Sequence, residues 1–354
     1  MPRVWDVPVR DSTRVRDVRV AAEDAAALAG FDERRTAAAA LVATELATNL
    51  LKHAQGGQVL IEVVDPPALP EGRVARAVQI AALDHGPGIT DLPAALRDGF
   101  TTTGSLGAGL GTCRRLADDF GLHSVPGRGT VAVARVVTGE ADGPERGAAG
   151  LLPVRAGGVN VPYCRADHSG DAWGWVRAGD RLTLLLADGL GHGPEAARAS
   201  GAAVEAVRRW AHLAPAESLP RLHEALSGTR GAAVAVAQVD TRAGRLRFAG
   251  IGNVGARLRV GDTWRALLSR PGIVGAHRPA RIREDDVAWS AESLLILHTD
   301  GLPSRWTPPS GVDLSAVDPA VTAAVTIRDA SSSASPVRDD TAVAVLSPTP
   351  PDRR

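Results

Sequence analysis

The side chains that could do chemistry in this 354-residue sequence fall into two groups. In "ATELATNLLKHA", Glu45, Asn49 and Lys52 stand four and three residues apart, so on a helix they share one face, with His53 beside them. The amide oxygen of Asn49 can hold a hard cation, and Glu45 can take a proton from a nucleophile; a plain solvated face has the same spacing. In "LDHGPGI", Asp84 ends an apolar run and can accept a hydrogen bond from an amino group such as that of adenine. Gly86 and Gly88 let the backbone pass close beneath a planar base. The stretch "TTTGSLGAGLG" carries Gly104, Gly107, Gly109 and Gly111 in neither the dinucleotide nor the P-loop spacing. It leads into "LGTCRRLADDF", whose first turn would present N–H groups to phosphate.

The second group is acidic. "HSGDAW" (Asp171), "LLLADGLGHG" (Asp188), "LHTDGL" (Asp300) and "VRDDTAV" (Asp339, Asp340) each adjoin an apolar run. Any one Asp-Gly can simply end a strand in a turn. Four such signals, each at a strand end, can instead gather carboxylates at one rim of a sheet. Their mutual repulsion is relieved by divalent cations. Oxygen ligands, with the Gly189 carbonyl available, suit Mg²⁺ or Mn²⁺, and the absence of His or Cys pairs argues against zinc.

These residues need elements to position them. Residues 34–54 predict a helix, 58–64 and 76–83 strands, 91–99 a short helix, 110–120 another helix and 130–137 a closing strand. Gly- and charge-rich residues 139–150 read as a linker. Beyond it, 181–187, 232–239, 245–250, 293–299 and 341–346 predict strands, interrupted by helices at 194–211 and 218–227; 329–336 reads as a loop and 348–354 as a disordered tail. Apolar runs of this kind fit strands covered on both faces. Lys plus Arg equal Asp plus Glu at 40 each, so no basic field draws in nucleic acid or an anionic membrane. Two isolated cysteines and no long apolar run lead to the expectation of a cytoplasmic protein.

Taken in order and spacing, "ATELATNLLKHA", "ALDHGPGI", "DGFTTTGSLGAGLG" and "GRGT" resemble the GHKL (Bergerat-type) ATPases, most nearly the RsbT-like serine/threonine switch kinases, over residues 10–138. The resemblance implies an α/β sandwich over residues 1–138 binding ATP and Mg²⁺. In it Asn49 is the metal ligand, Glu45 the base, Asp84 the adenine contact, Gly86 and Gly88 the base pocket, and Gly104, Gly107, Gly109 and Gly111 the phosphate lid. Thr130 supports the adenine end. Anti-sigma kinases of the group carry an Arg before the lid, where Thr101, Thr102 and Thr103 stand here.

The acidic set, with the "GIGN" turn at 250–253, resembles the PPM phosphatases of the SpoIIE and RsbX type, an αββα sandwich over residues 151–347. That resemblance implies two Mn²⁺ or Mg²⁺ ions held by Asp171, Asp188, Gly189, Asp300 and Asp339, with Asp340 the alternative to Asp339. His192 is either the acid that protonates the leaving oxygen or a turn residue, and Asn253 reads as a turn residue. The fold class is thus α+β in two domains. The function implied is a kinase and a phosphatase acting in opposition on STAS-domain proteins in a bacterial sigma-factor pathway. The alternative is an ATP-binding regulatory or anti-sigma module controlling an active phosphatase. Oligomeric state is left open.

Overall fold

The computed structural model describes residues 3–65, 75–96, 109–138, 154–309, 314, 316–331, 337 and 339–350. They fall into two compact units, Val4–Pro66 with Val74–Gly143, and a second made mostly of Pro144–Arg354. The α+β, two-domain organisation expected from the sequence is present. Residues 139–150, read as a linker, lie outside the described residues, as do Thr101, Thr102, Thr103, Gly104 and Gly107.

In the first unit, strand β1 (Val4–Val9) precedes helix α1 (Ser12–Ala29), which is capped by Asp11 and closed by Gly30 at φ 79°. Helix α2 (Glu33–Ala54) starts at Asp32, whose carboxylate accepts from Arg35 N at 2.7 Å. There follow β2 (Gly57–Val64), β3 (Ala77–Leu83), the single turn α3 (Leu92–Ala95), α4 (Gly109–Leu116), β4 (Asp119–Val125) and β5 (Gly129–Val137). The strands form one antiparallel sheet in the order β1-β2-β3-β5-β4. Val18 and Ala22 of α1 and Val42, Leu46 and Leu50 of α2 pack on Val59, Ile61, Val78, Ile80 and Ala134, so one apolar stripe of each helix meets one face of the strands.

Strands β1 and β4 and helix α1 are additions to the elements read from the sequence. The helix expected over 110–120 stops at Leu116 because the chain turns there into β4. Asp118 N donates to Arg135 O at 2.9 Å, and Arg135 pairs with Asp119, so β4 is held to β5 from its first residue.

The second unit has two five-stranded sheets. One runs β13 (Asp285–Ala288), β10 (Arg245–Ile251), β9 (Ala232–Asp240), β8 (Arg181–Gly189), β7 (Asp171–Ala178). The other runs β12 (Thr263–Leu267), β11 (Gly255–Val260), β14 (Leu294–His298), β15 (Thr341–Pro348), β6 (Val154–Val161). Leu182, Leu184 and Leu186 of β8 point between the sheets, against Leu295, Leu297 and Ala344. Leu185 and Ala187 point the other way, against α5 (Pro194–Arg209) and α6 (Pro215–Leu226). Both faces of β8 are covered, which is why "LTLLLA" does not alternate. Helix α7 (Pro319–Ala330) covers β6 and β15. It is rich in β-branched residues and lies inside a stretch where no helix was expected, and burial of nearly its whole length outweighs its weak propensity. Strand β15 runs to Pro348 and Thr349 is buried, while residues 351–354 lie outside the described residues. No helix among the described residues is long and apolar enough to cross a membrane.

Candidate functional sites in the two units

In the first unit, α2 carries Glu45 and Asn49 one turn apart, both half-buried. Helix α4 begins directly against them. A Cβ on Gly109 would lie 3.0 Å from Asn49 Oδ1 and 3.2 Å from Nδ2, so the glycine lets the N-terminus of α4 approach the amide. Asn49 Nδ2 is buried and has no hydrogen-bond partner. A buried donor left unpaired costs free energy, so this amide is suited to a ligand atom; turned over, it offers Oδ1 to the same point. Beneath Glu45, burial first and the Glu45 charge second push the Cys113 thiol up to about 12, so Cys113 is an inert core residue. Gly111 is buried within α4.

Asp84 follows β3 and is buried. Its Oδ1 accepts from Gly86 N at 2.8 Å and Thr130 N at 3.1 Å, which fixes the carboxylate between the glycine turn and β5. Gly88, at φ 73°, sits where a Cβ would collide with the Val125 carbonyl. Thr130 Oγ1 lies 2.9 Å from Ser124 Oγ, which also accepts from Ile89 N at 2.8 Å. Ser124 therefore ties the turn after Asp84 to Thr130. Sequence reasoning missed it along with β4; the available signal was the hairpin "HSVPGRGT".

In the second unit the four acidic motifs meet. Asp171, the first residue of β7, is the register partner of Asp188 near the end of β8. Asp300 follows β14, and Asp339 and Asp340 precede β15. Asp171 is 1% exposed, and its Oδ2 has no hydrogen-bond partner. Burial, then the Asp188 charge, hold its carboxyl well above the usual carboxylate range, against the opposing hydrogen bond from Thr299. Burial, then the charges of Asp300 and Asp339, push Asp188 up to about 7. Asp171 and Asp188 thus feel the neighbouring acidic side chains, and Asp171 keeps one buried oxygen unpaired.

Asp339 and Asp340 differ sharply. Asp340 is buried and accepts from Tyr163 N at 2.8 Å and Gly170 N at 2.9 Å, one bond to each oxygen. Asp339 is exposed. Asn253, read from sequence as a turn residue, donates to Asp300 at 2.6 Å and also acts to lower the raised Asp188 carboxyl. Asn160 donates to the Asp171 carbonyl at 2.7 Å, so it too was missed as a support of the cluster. Gly189 packs against the Ala196 carbonyl of α5, and a Cβ there would collide with it. His192 lies exposed in the loop between β8 and α5, flanked by Gly191 at φ 85° and Gly193 at φ 78°.

Among the described residues no group of three or more His, Cys, Asp or Glu side chains is placed to hold a metal ion directly. The donor set instead suits hydrated hard cations, because Mg²⁺ keeps several waters and takes only one or two carboxylates directly. Raised carboxyls and an orphaned, buried carboxylate oxygen are the features that a cation would relieve.

Residues 9–135 match the family of histidine kinase-like ATPase domains, and residues 178–348 match the family of the stage II sporulation protein E, SpoIIE. The serine/threonine-protein kinase RsbT of Bacillus subtilis (strain 168) is 45% identical over 87 residues, which are 25% of this chain and 61% of that relative's length. Among solved structures, the PP2C phosphatase domain of B. subtilis SpoIIE with a fragment of its regulatory domain shares 14% identity at a TM-score of 0.49, covering 96% of this chain and 97% of that one. A structure of RsbX in complex with magnesium shares 19% identity at a TM-score of 0.47, covering 55% and 96% of the respective chains. The chain thus carries a region similar to histidine kinase-like ATPase domains at residues 9–135 and a region similar to SpoIIE at residues 178–348.

Proposed function

We propose that the protein is a partner-switching regulator with two opposed activities, an ATP-dependent serine/threonine kinase and a metal-dependent phosphoserine/phosphothreonine phosphatase. Its partners are STAS-domain proteins of a sigma-factor pathway. The observation that carries the phosphatase half is the convergence of Asp171, Asp188 and Asp300, with one Asp171 oxygen buried and unpaired and Asp188 pushed up to about 7.

In that reading Asp171, Asp188, Asp300 and Asp339, with the Gly189 carbonyl, hold two Mn²⁺ or Mg²⁺ ions. When bound, the ions supply the positive charge that ionises a water near neutral pH and polarises a phosphoryl oxygen. Asn253 orients Asp300, so its loss misaligns a ligand without removing one. His192, exposed in the loop that follows Gly189, serves as the proton donor to the departing serine or threonine oxygen.

In the kinase half, the N-terminus of α4 and Asn49 face the phosphates and their Mg²⁺, and Asp84 takes the adenine amino group. Glu45 accepts the proton of the attacking hydroxyl. The unpaired Asn49 amide at the start of α4 supports this assignment. Two activities joined in one chain act at high effective concentration on each other's product.

The test is to follow phosphate on a STAS-domain partner incubated with ATP, Mg²⁺ and Mn²⁺, comparing wild type with Asp188→Asn. Phosphoprotein that accumulates only with the variant supports both activities. If neither protein labels the partner, while the wild type strips phosphate from a pre-phosphorylated one, the first unit binds ATP for regulation alone. Failure to strip it as well refutes the phosphatase assignment.

A further inference from the structure

Between β6 and β7 the chain passes through a short loop whose two ends are held by one side chain. Asp340 accepts from Tyr163 N through Oδ1 and from Gly170 N through Oδ2, at 2.8 and 2.9 Å. Within that clamp Cys164 and Arg165 lie at φ 51° and φ 58°, two consecutive residues in the left-handed region that side chains other than Gly rarely enter. Backbone of this kind persists where its surroundings over-determine it, and it clusters at ligand clamps.

The clamp also sets what the loop displays. Tyr163 is 43% exposed, and Cys164 and Arg165 are exposed with it. The same Asp340 that holds the loop is the chain neighbour of Asp339, so Tyr163 and Gly170 are tied directly to the last of the acidic motifs. The loop therefore adjoins the carboxylate cluster through Asp340. Arg165 N donates to Pro162 O at 3.4 Å, while its guanidinium is exposed and makes no ion pair with any described residue. Tyr and Arg are the side chains that most often dominate protein-protein binding energy, and the Arg fork matches a carboxylate with two parallel bonds. A cluster of acids by itself repels an acidic substrate, and an exposed cation on the adjoining loop offsets that repulsion for an acidic phosphorylated segment.

We propose that the Asp340-clamped loop Tyr163–Arg165 reads the protein sequence around the phosphorylated residue. Arg165 pairs with a carboxylate next to the phosphoserine or phosphothreonine, and Tyr163 packs on the adjoining peptide. This rests on the phosphatase reading of the carboxylate cluster.

The experiment uses the full chain with Mn²⁺ and three substrates. These are p-nitrophenyl phosphate and two phosphoserine peptides that differ only in carrying Asp or Asn beside the phosphoserine. The wild type should favour the Asp peptide by about fivefold in kcat/KM, the scale of one exposed ion pair, with the difference in KM and not in kcat. Arg165→Ala should remove that preference, and Arg165→Lys should retain part of it. Turnover of p-nitrophenyl phosphate by the same preparations normalises for folding. A wild type indifferent to the two peptides, or a preference that survives Arg165→Ala, overturns the proposal and leaves the phosphatase intact. A wild type that cleaves none of the three substrates overturns the phosphatase reading, and this proposal with it.

Discussion

Asp188 carries a carboxyl that burial and the charges of Asp300 and Asp339 push up to about 7, so with Asp188 as the proposed metal ligand protons and divalent cations would compete for it close to neutral pH. Two consequences follow from one residue. Between its ordinary pKa of 3.8 and about 7, the folded chain holds a proton that the unfolded chain has released. Metal-free protein is therefore most stable at the acid end of that window, and its unfolding free energy falls as pH rises, by up to about 1.4 kcal/mol per pH unit from this group. Chemical denaturation in EDTA across the window should show that slope, and Asp188→Asn should flatten it. Over the same range Mn²⁺ affinity should rise with pH and level off above about 7, which calorimetric titration measures. Asp340 is buried and bonded where its neighbour Asp339 is exposed, and the proposed reading gives the two different jobs. Asp339→Asn should weaken Mn²⁺ binding by more than the ~10-fold typical of an outer-shell change, with little effect on melting. Asp340→Asn leaves one of the two N–H groups of Tyr163 and Gly170 without its charged acceptor and should cost about 1–3 kcal/mol of stability, read by denaturant unfolding.

At the scale of the element, the meeting of α2 and α4 matters most in the first unit. Gly109 is the only residue type that allows the first turn of α4 to lie this close to Asn49 without displacing the amide. Gly109→Ala should separate stability from binding. Alanine narrows the unfolded ensemble, an effect worth about 0.4–1 kcal/mol, so melting should hold or rise slightly. ATP affinity should fall, since the added methyl pushes on the group proposed to hold the cation. A loss of melting temperature with unchanged ATP affinity would count against the placement of α4 beside the nucleotide. The same scale explains the uneven legibility of the fold. Strands β8, β9, β14 and β15 were plain as unbroken apolar runs because both of their faces are covered. Strand β4 was not, since "DFGLHSV" has Gly121 in its middle and packs only in part against the core. Helix α7 was hidden by its own β-branched residues.

For the whole molecule, two compact units with separate hydrophobic cores each carry one candidate site. Ligands should consequently act on them separately. In scanning calorimetry, ATP with Mg²⁺ should raise the transition of the first unit, and Mn²⁺ that of the second. Each should gain about 2.7 kcal/mol when its ligand is present at a hundred times its dissociation constant. Movement of a single shared transition by either ligand would show instead that the units unfold together.

What the sequence determined by itself is local. The spacing that sets Glu45 and Asn49 on one face of α2, and the arrival of each aspartate at a strand end, are consequences of the 3.6- and 2-residue periods, and those periods are written in the residue order. The glycines after Asp84 were legible for the same reason, because a turn is a property of adjacent residues. Tertiary structure decided what depends on distant partners. Asp339 and Asp340 share one neighbourhood in sequence, and they part only because the N–H groups of Tyr163 and Gly170, about 170 positions away, bind one of them and bury it. Asn253 became a support of Asp300 and Asp188, and Ser124 a link between Thr130 and Ile89, by the same rule. A polar side chain's role is set by which buried groups it satisfies, and the fold alone brings those groups to it.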